Sequence, residues 1–246
     1  MSVEEEVWTP ELLASPHEAS DKAARVRRMF NGIAERYELV NRVFSGGRDA
    51  RWRRGAVERA RVRADDLVLD VACGTGDFAR AFAGGGARLV VGCDFAVEML
   101  AMAAKRPGKT LRWVEADALR LPFRSNAFSI VSCAFGVRNF ADLDAGLTEM
   151  HRILRPGGRA VILEFTRPRN PIARRLYELY SHRIMPRAAA LISGDRTGAY
   201  RYLPRSVVSF LDAEQMVERL GRAGFSDVAV TPLTLGVVTV YVAART

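Results

Sequence analysis

The stretch Leu69-Asp70-Val71-Ala72-Cys73-Gly74-Thr75-Gly76-Asp77 decides the fold. It ends an apolar run that begins at Leu67 and opens onto a helical stretch. A strand that turns through glycines into a helix is a building unit of an α/β sheet. Glycine permits positive φ at such a turn and lets a ligand approach the backbone. The free N–H groups at the start of the following helix suit a carboxylate or a phosphate.

Two classes of nucleotide site use this loop. A dinucleotide site prefers G-x-G-x-x-G, with the pyrophosphate over the helix start. Here the run is Gly74-Thr75-Gly76-Asp77-Phe78-Ala79, and alanine is tolerated at the sixth position, so the glycines alone do not discriminate. Asp70 does. A carboxylate ahead of the glycines repels a pyrophosphate, whereas S-adenosylmethionine (SAM) brings an amino group and a sulfonium that attract it. Asp94 ends the next apolar run, 18 residues after Gly76, where a carboxylate accepts hydrogen bonds from ribose hydroxyls. Glu115-Ala116-Asp117-Ala118 ends the run after that, with Asp117 placed for an adenine amino group. Taken singly these are ordinary turn residues. Three in register, with an acid in the leading strand, point to a SAM site.

Outward from this core the pattern keeps alternating. Leu67–Val71, Leu89–Cys93, Leu111–Glu115, Phe128–Ala134 and Ala160–Phe165 read as strands. Helical stretches lie between most of them, such as Leu143, Leu147, Met150 and Leu154. This is the signature of βαβ units and a mainly parallel, Rossmann-like sheet. Asp212 and Gln215 fit a capping box that opens a last helix, which stops near Gly224. Phe225–Thr231 and Val237–Ala243, joined through Pro232–Gly236, predict a C-terminal antiparallel hairpin and seven strands in all. The whole of 1–246 reads as one domain. Within it, 21–60 form a helical cap: Val26, Met29, Phe30, Ile33 and Tyr37 recur at helical spacing, and a second helix begins at Arg51-Trp52. Residues 166–211, rich in Arg, Tyr and Pro, read as an insertion that roofs the substrate.

Composition narrows the class. Of 246 residues 49% are apolar, enough for a large core. No apolar run approaches the ~18 residues of a membrane span, and the acidic N-terminus lacks a signal-peptide pattern, so a cytoplasmic protein is expected. Cys73, Cys93 and Cys133 are odd in number and unpaired in spacing, which argues against disulfides or zinc. The net charge of +9 is nearly all arginine, spread along the chain, and fits nucleic acid, an anionic membrane or an arginine-rich composition equally.

Four further stretches resemble the ubiquinone/menaquinone-biosynthesis C-methyltransferase family. Tyr37-Glu38-Leu39-Val40-Asn41, continuing to Ser45 and Trp52, is similar to its N-terminal signature. Phe135-Gly136-Val137-Arg138-Asn139 is similar to its motif after the fourth strand. Arg152-Ile153-Leu154-Arg155-Pro156-Gly157-Gly158, continuing to Leu163-Glu164-Phe165, resembles its second signature, and Tyr200-Arg201-Tyr202-Leu203 with Ser206 its Y-x-Y-L-x-x-S run. The chain departs from the family pattern at Glu38, Val40, Asp49, Ala134 and Thr166. The resemblance implies methylation of a ring carbon of a polyprenylated quinol, naphthoquinol or benzoquinol. It also implies SAM contacts at Thr75, Asp94, Asp117 and Ala118, with Asp70, Gly74, Gly76 and Ala134 completing the expected cofactor set.

SAM carries an activated methyl group, so the enzyme must align the nucleophile and exclude water. A quinol carbon becomes nucleophilic when the adjacent hydroxyl loses its proton, which calls for a base and for a group that stabilises the phenolate. Arg138 and Asn139, just past the fourth strand, are the expected contacts to the quinol oxygen. Arg138 would stabilise the oxyanion, since guanidinium is no base at neutral pH. A structural bridge from Arg138 to Asp142 or Asp144 is the competing reading. Tyr37, His182, Asp195, Tyr200 and Tyr202 rank next. No metal is required. Arg167, Arg169, Arg174 and Arg175 are candidates for contact with an anionic membrane, and a homo-oligomer stays open. A nucleic-acid methyltransferase is disfavoured, because no Asp/Asn-Pro-Pro-Tyr motif follows the fourth strand and Cys133 lies inside it. A non-catalytic SAM-binding protein and a methyltransferase for another phenolic or steroid acceptor complete the alternatives.

Overall fold

The computed structural model describes residues 7–9, 11–179 and 198–246. Five strands, β1 (Leu67–Val71), β2 (Leu89–Asp94), β3 (Leu111–Glu115), β4 (Phe128–Ala134) and β5 (Leu154–Phe165), pair in parallel. β6 (Ser226–Leu233) and β7 (Val238–Ala244) form the expected hairpin, with β7 antiparallel to β5. The order across the seven-stranded sheet is β3-β2-β1-β4-β5-β7-β6. Chain order reverses between β1 and β4, and open α/β sheets form their ligand crevices beyond the carboxyl ends of strands at such a point.

Alternation along the strands supplies both faces of the core. Val68, Val90, Ile130, Val161 and Leu163 face α3 (Asp49–Ala60) and α4 (Asp77–Gly84), meeting Trp52, Ala56, Phe78 and Phe82. Leu69, Val91, Val131, Cys133 and Ile162 face the other way, against Leu147, Met150 and Ile153 of α6 (Leu143–Ile153) and Met216 and Leu220 of α9 (Ala213–Arg222). Asp212 caps α9 through the capping box with Gln215.

The N-terminal part forms three helices rather than two: α1 (Lys22–Ile33), α2 (Tyr37–Phe44) and α3. Arg36 N bonds Ile33 O and Tyr37 N bonds Ala34 O, tight turns that interrupt the i−4 ladder. Val26, Met29 and Ile33 of α1 pack with Met99 of α5 (Val97–Ala104) and with Tyr202 and Leu203 of α8 (Ala199–Val208). Trp8 stacks on Tyr202 at 4.3 Å between ring centroids. The buried Lys22 donates to the carbonyls of Arg138, at 3.1 Å, and Phe140, tying α1 to the turn after β4. Burial pulls its pKa down to about 8. Among the described residues the remaining α-helix is α7 (Pro171–Leu179).

β5 starts at Leu154, six residues earlier than the apolar pattern suggests, because Leu154 pairs with Phe128 before the Pro156-Gly157-Gly158 turn shifts the register. The α6 end is held by Arg245, whose Nη1 bonds the carbonyls of His151 at 2.7 Å and Arg152 at 3.0 Å. β6 continues through Pro232 to Leu233. That is tolerated because β6 is an edge strand, where a missing N–H costs no ladder bond.

Candidate active site

A cleft opens beyond the carboxyl ends of β1 to β4, where open α/β sheets place their ligands. Asp94, Phe95, Met99, Asp117 and Ala118 line one side. Ala134, Asn139 and Phe140 line the other, under Ala23 and Phe30 of α1 and Tyr37 of α2. A small side arm leads between Asp70, Thr75, Asp77 and Arg53, and it shares Tyr37, Ala72, Gly74 and Ala134 with the main cleft.

Each acid arrives there for a local reason. Leu69 and Val71 face α6, so Asp70 takes the opposite face, toward α3 and α4. Its partner across the ladder is Ser132, whose hydroxyl donates to Asp70 Oδ1 at 2.8 Å. Asp70 Oδ2 is buried with no hydrogen-bond partner among the described residues. Burial pushes the Asp70 pKa up to about 7. An acid with a bare oxygen aimed at a cavity fits a cation. Asp94, at the end of β2, accepts Gly74 N at 2.8 Å on Oδ2 and Ala96 N at 2.9 Å on Oδ1, which fixes the glycine turn to the next strand. Burial lifts its pKa to about 6, against the pull of these amides. Each of its oxygens keeps a second lone pair for a ribose hydroxyl. Asp117 is exposed, and its Oδ1 accepts Leu119 N at 2.9 Å.

The glycines divide their labour. Gly74, at φ +55°, borders both parts of the cleft. Gly76, at φ +83°, does not line it. A Cβ there would meet the Trp113 ring at 2.3 Å, so its bareness makes room for an indole from β3. The same ring covers Gly92. Thr75 is buried and lines the side arm.

Beyond β4 the chain turns at Phe135, buried with φ +58°, an unusual conformation for a bulky residue. Asn139 reaches the cleft. Its Oδ1 accepts the Tyr202 hydroxyl at 2.9 Å and its Nδ2 donates to Phe135 O at 3.3 Å, leaving one amide N–H free. Arg138 is placed otherwise than expected. It is 3% exposed and points beneath the cleft, with Nη1 on Glu164 Oε1 at 2.8 Å and on Phe135 O at 2.6 Å, and Nε on Ser206 Oγ at 3.3 Å. The bridge runs to Glu164 of β5, not to Asp142 or Asp144. Burial opposes the charge of Arg138, but Glu164 together with Tyr202 and Tyr37 outweighs it, so the guanidinium stays protonated. Tyr37 covers Gly74, its Cε1 3.7 Å from where a Cβ would sit, and burial raises its phenol pKa. All three cysteines are buried, and burial pushes each thiol up.

His182 and Asp195 lie outside the described residues, as does the Tyr200 side chain. Sequence reasoning missed Arg53, Phe95, Trp113 and Glu164. Arg53, one residue past the signature Trp52, Phe95, next to Asp94, and Glu164, inside the second signature, stood near a signal, whereas Trp113 did not.

The model of the ubiE/COQ5 methyltransferase family matches residues 18–245. The chain belongs to this family. It is 47% identical over 222 residues to the demethylmenaquinone methyltransferase of Thermus thermophilus, covering 88% of this chain and 100% of that one. With the ubiquinone/menaquinone biosynthesis C-methyltransferase UbiE of Geobacter sulfurreducens it shares 40% over 229 residues, 90% of this chain and 89% of the other. Its fold matches the crystal structure of a SAM-dependent methyltransferase from Thermotoga maritima at a TM-score of 0.63 and 16% identity, covering 89% and 99% of the two chains. The family member described here is therefore a methyltransferase of the SAM-dependent class with S-adenosylmethionine as methyl donor.

Proposed function

We propose that this enzyme methylates a ring carbon of a polyprenylated quinol, demethylmenaquinol first among the candidates, with the matching benzoquinol as the second substrate. The observation that carries this reading is the lining of the cleft. Phe30, Phe95, Met99, Phe140 and several alanines make it mostly apolar, while Asn139 offers a hydrogen bond beside Ala134. A flat aromatic ring with one oxygen to recognise suits such a wall. Relatives named for demethylmenaquinone and for ubiquinone/menaquinone synthesis support both ring types.

When bound, SAM supplies an electrophilic methyl group. Asp94 holds the ribose, Asp117 and Ala118 border the adenine, and Asp70 takes the ammonium, with Gly74, Thr75 and Ala134 packed around the methionine chain. Asn139 donates its free N–H to the quinol oxygen, and Tyr37, kept as a phenol by burial, closes the cleft over Gly74 against water. Arg138 acts one step back. It bonds Phe135 O, the same carbonyl that receives Asn139 Nδ2, and so positions the turn that presents Asn139.

A peripheral site on an anionic membrane accompanies this reading, since the tail of the substrate is a lipid. Ile172 and Leu235 are 72% and 78% exposed, and Arg167, Arg169 and Arg174 border a groove beside Leu235. Among the described residues no helix is long and apolar enough to cross a membrane.

The test is methyl transfer to short-chain demethylmenaquinol and to the 2-methoxy-6-prenyl-1,4-benzoquinol, with Asp94→Ala alongside. The expected result is transfer to the naphthoquinol at the higher kcat/KM and SAM affinity weaker by about 1.5–3 kcal/mol in the variant. No transfer to either quinol by an enzyme that binds SAM would overturn the substrate, and unchanged affinity in the variant would overturn the placement of the ribose.

A further inference from the structure

The side arm of the cleft holds a pair of unmet polar atoms of opposite character. Asp70 Oδ2 lacks a donor, and Arg53 Nε lacks an acceptor, both fully buried. Both residues line the same space, with Gly74, Thr75 and Asp77. Burying an unsatisfied N–H of a cation is costly, so such a group calls for a partner.

Arg53 is held for one. The helix spacing puts Asp49 one turn before it, and Asp49 Oδ2 accepts Arg53 Nη1 at 2.6 Å. Ser45 Oγ in turn donates to Asp49 Oδ1 at 3.0 Å. Phe135 lies under the guanidinium, 5.6 Å from its ring centroid. One side of the fork is thus engaged and its plane fixed, while Nε remains bare. No side chain caps the start of α4, whose Asp77 and Phe78 border the same space.

We propose that Arg53 binds the carboxylate of the methyl donor's amino-acid end. A bare carboxylate and a bare guanidinium N–H in one small arm match the two charges of an α-amino acid zwitterion, Asp70 taking the ammonium. The assignment rests on the placement of the nucleoside against Asp94. It also gives the N-terminal cap a function: α3 reads whether the cofactor carries its amino-acid tail, so the site discriminates the full donor and its product from tailless nucleosides.

Calorimetry with S-adenosylhomocysteine and with 5′-methylthioadenosine tests this. The second ligand keeps adenine, ribose and thioether but lacks the amino-acid end. Arg53→Gln should weaken S-adenosylhomocysteine by roughly 10- to 100-fold, the range for a lost charge-assisted hydrogen bond. It should leave 5′-methylthioadenosine within about twofold, so the preference between the two collapses. Arg53→Lys should restore part of it. The loss should persist at pH 8.5, where Asp70 is ionised. Equal loss of both ligands, loss of neither, or a loss that vanishes at pH 8.5 would overturn the proposal. Asp94→Ala should weaken both ligands alike, and if it weakens neither, the nucleoside placement fails instead.

Discussion

Replacing Arg138 by alanine separates the two roles this residue has been given. In the structure it is a buried cation with one acidic partner, Glu164, which is 1% exposed. The truncation removes the 2.8 Å ion pair, the 2.6 Å bond to Phe135 O and the 3.3 Å bond to Ser206. Glu164 keeps the backbone amides of Phe165 at 2.8 Å and, weakly, residue 138 at 3.4 Å, but no counter-ion. Breaking one side of a buried pair costs about 3–5 kcal/mol, a large part of a typical total of about 5–15. With a urea slope of about 2–3 kcal/mol/M, the unfolding midpoint should fall by about 1–2.5 M. Methyl transfer should fall as well, because the turn holding Asn139 loosens. The double variant Arg138→Met with Glu164→Leu removes both charges at similar volume and should recover most of the stability. Urea unfolding by circular dichroism, with single-turnover transfer to a short-chain quinol, reads both quantities. An Arg138→Ala protein within about 1 kcal/mol of the parent would refute the reasoning. A double variant that is stable yet about 100-fold or more slower in transfer at intact SAM affinity would return Arg138 to the acceptor.

Asp70 makes cofactor binding depend on pH. Its folded pKa of about 7 lies above the ordinary 3.8, so the free enzyme holds a proton there that an ammonium must expel. S-adenosylhomocysteine affinity should rise with pH up to about 7, Asp94, near 6, contributing to the rise below that value; Asp70→Asn should give weaker binding and remove the part of the rise between about pH 6.5 and 7, and an unchanged rise there would sink the assignment. The same raised pKa means the free enzyme binds more protons folded than unfolded, so its stability should fall as pH rises from about 4 through about 7, read by thermal melts with and without the substitution. Gly76→Ala should destabilise by about 1–3 kcal/mol or more, from positive φ and the Trp113 ring at 2.3 Å, and Trp113→Ala in the same chain should relieve the clash. Pelleting with anionic vesicles should be salt-sensitive and weaken on Arg167→Glu with Arg174→Glu; equal binding to neutral vesicles would dismiss the membrane face.

The sequence by itself determined the sheet, its strand sequence up to β4 and the acids at the strand ends. These follow from period-2 alternation, glycine turns and register, all local properties that a single chain displays. The Gly74 turn, Asp94 and Asp117 stood where the pattern put them, because a strand's carboxyl end is reached by counting. Tertiary structure alone decided what each side chain faces. Arg138 looked like an acceptor contact from its place after β4, but Glu164 lies 26 positions on and is brought beneath it only by the β4–β5 pairing. At Gly76 the Trp113 ring from a neighbouring strand occupies the space a Cβ would take, a contact no local pattern announces. Arg53 looked like one more helical arginine until α3 was laid beside Asp70, 17 positions away in sequence. Partners of charged groups are set by packing between distant elements, and burial, which turns an ordinary aspartate or arginine into a group needing a ligand, exists only once those elements meet.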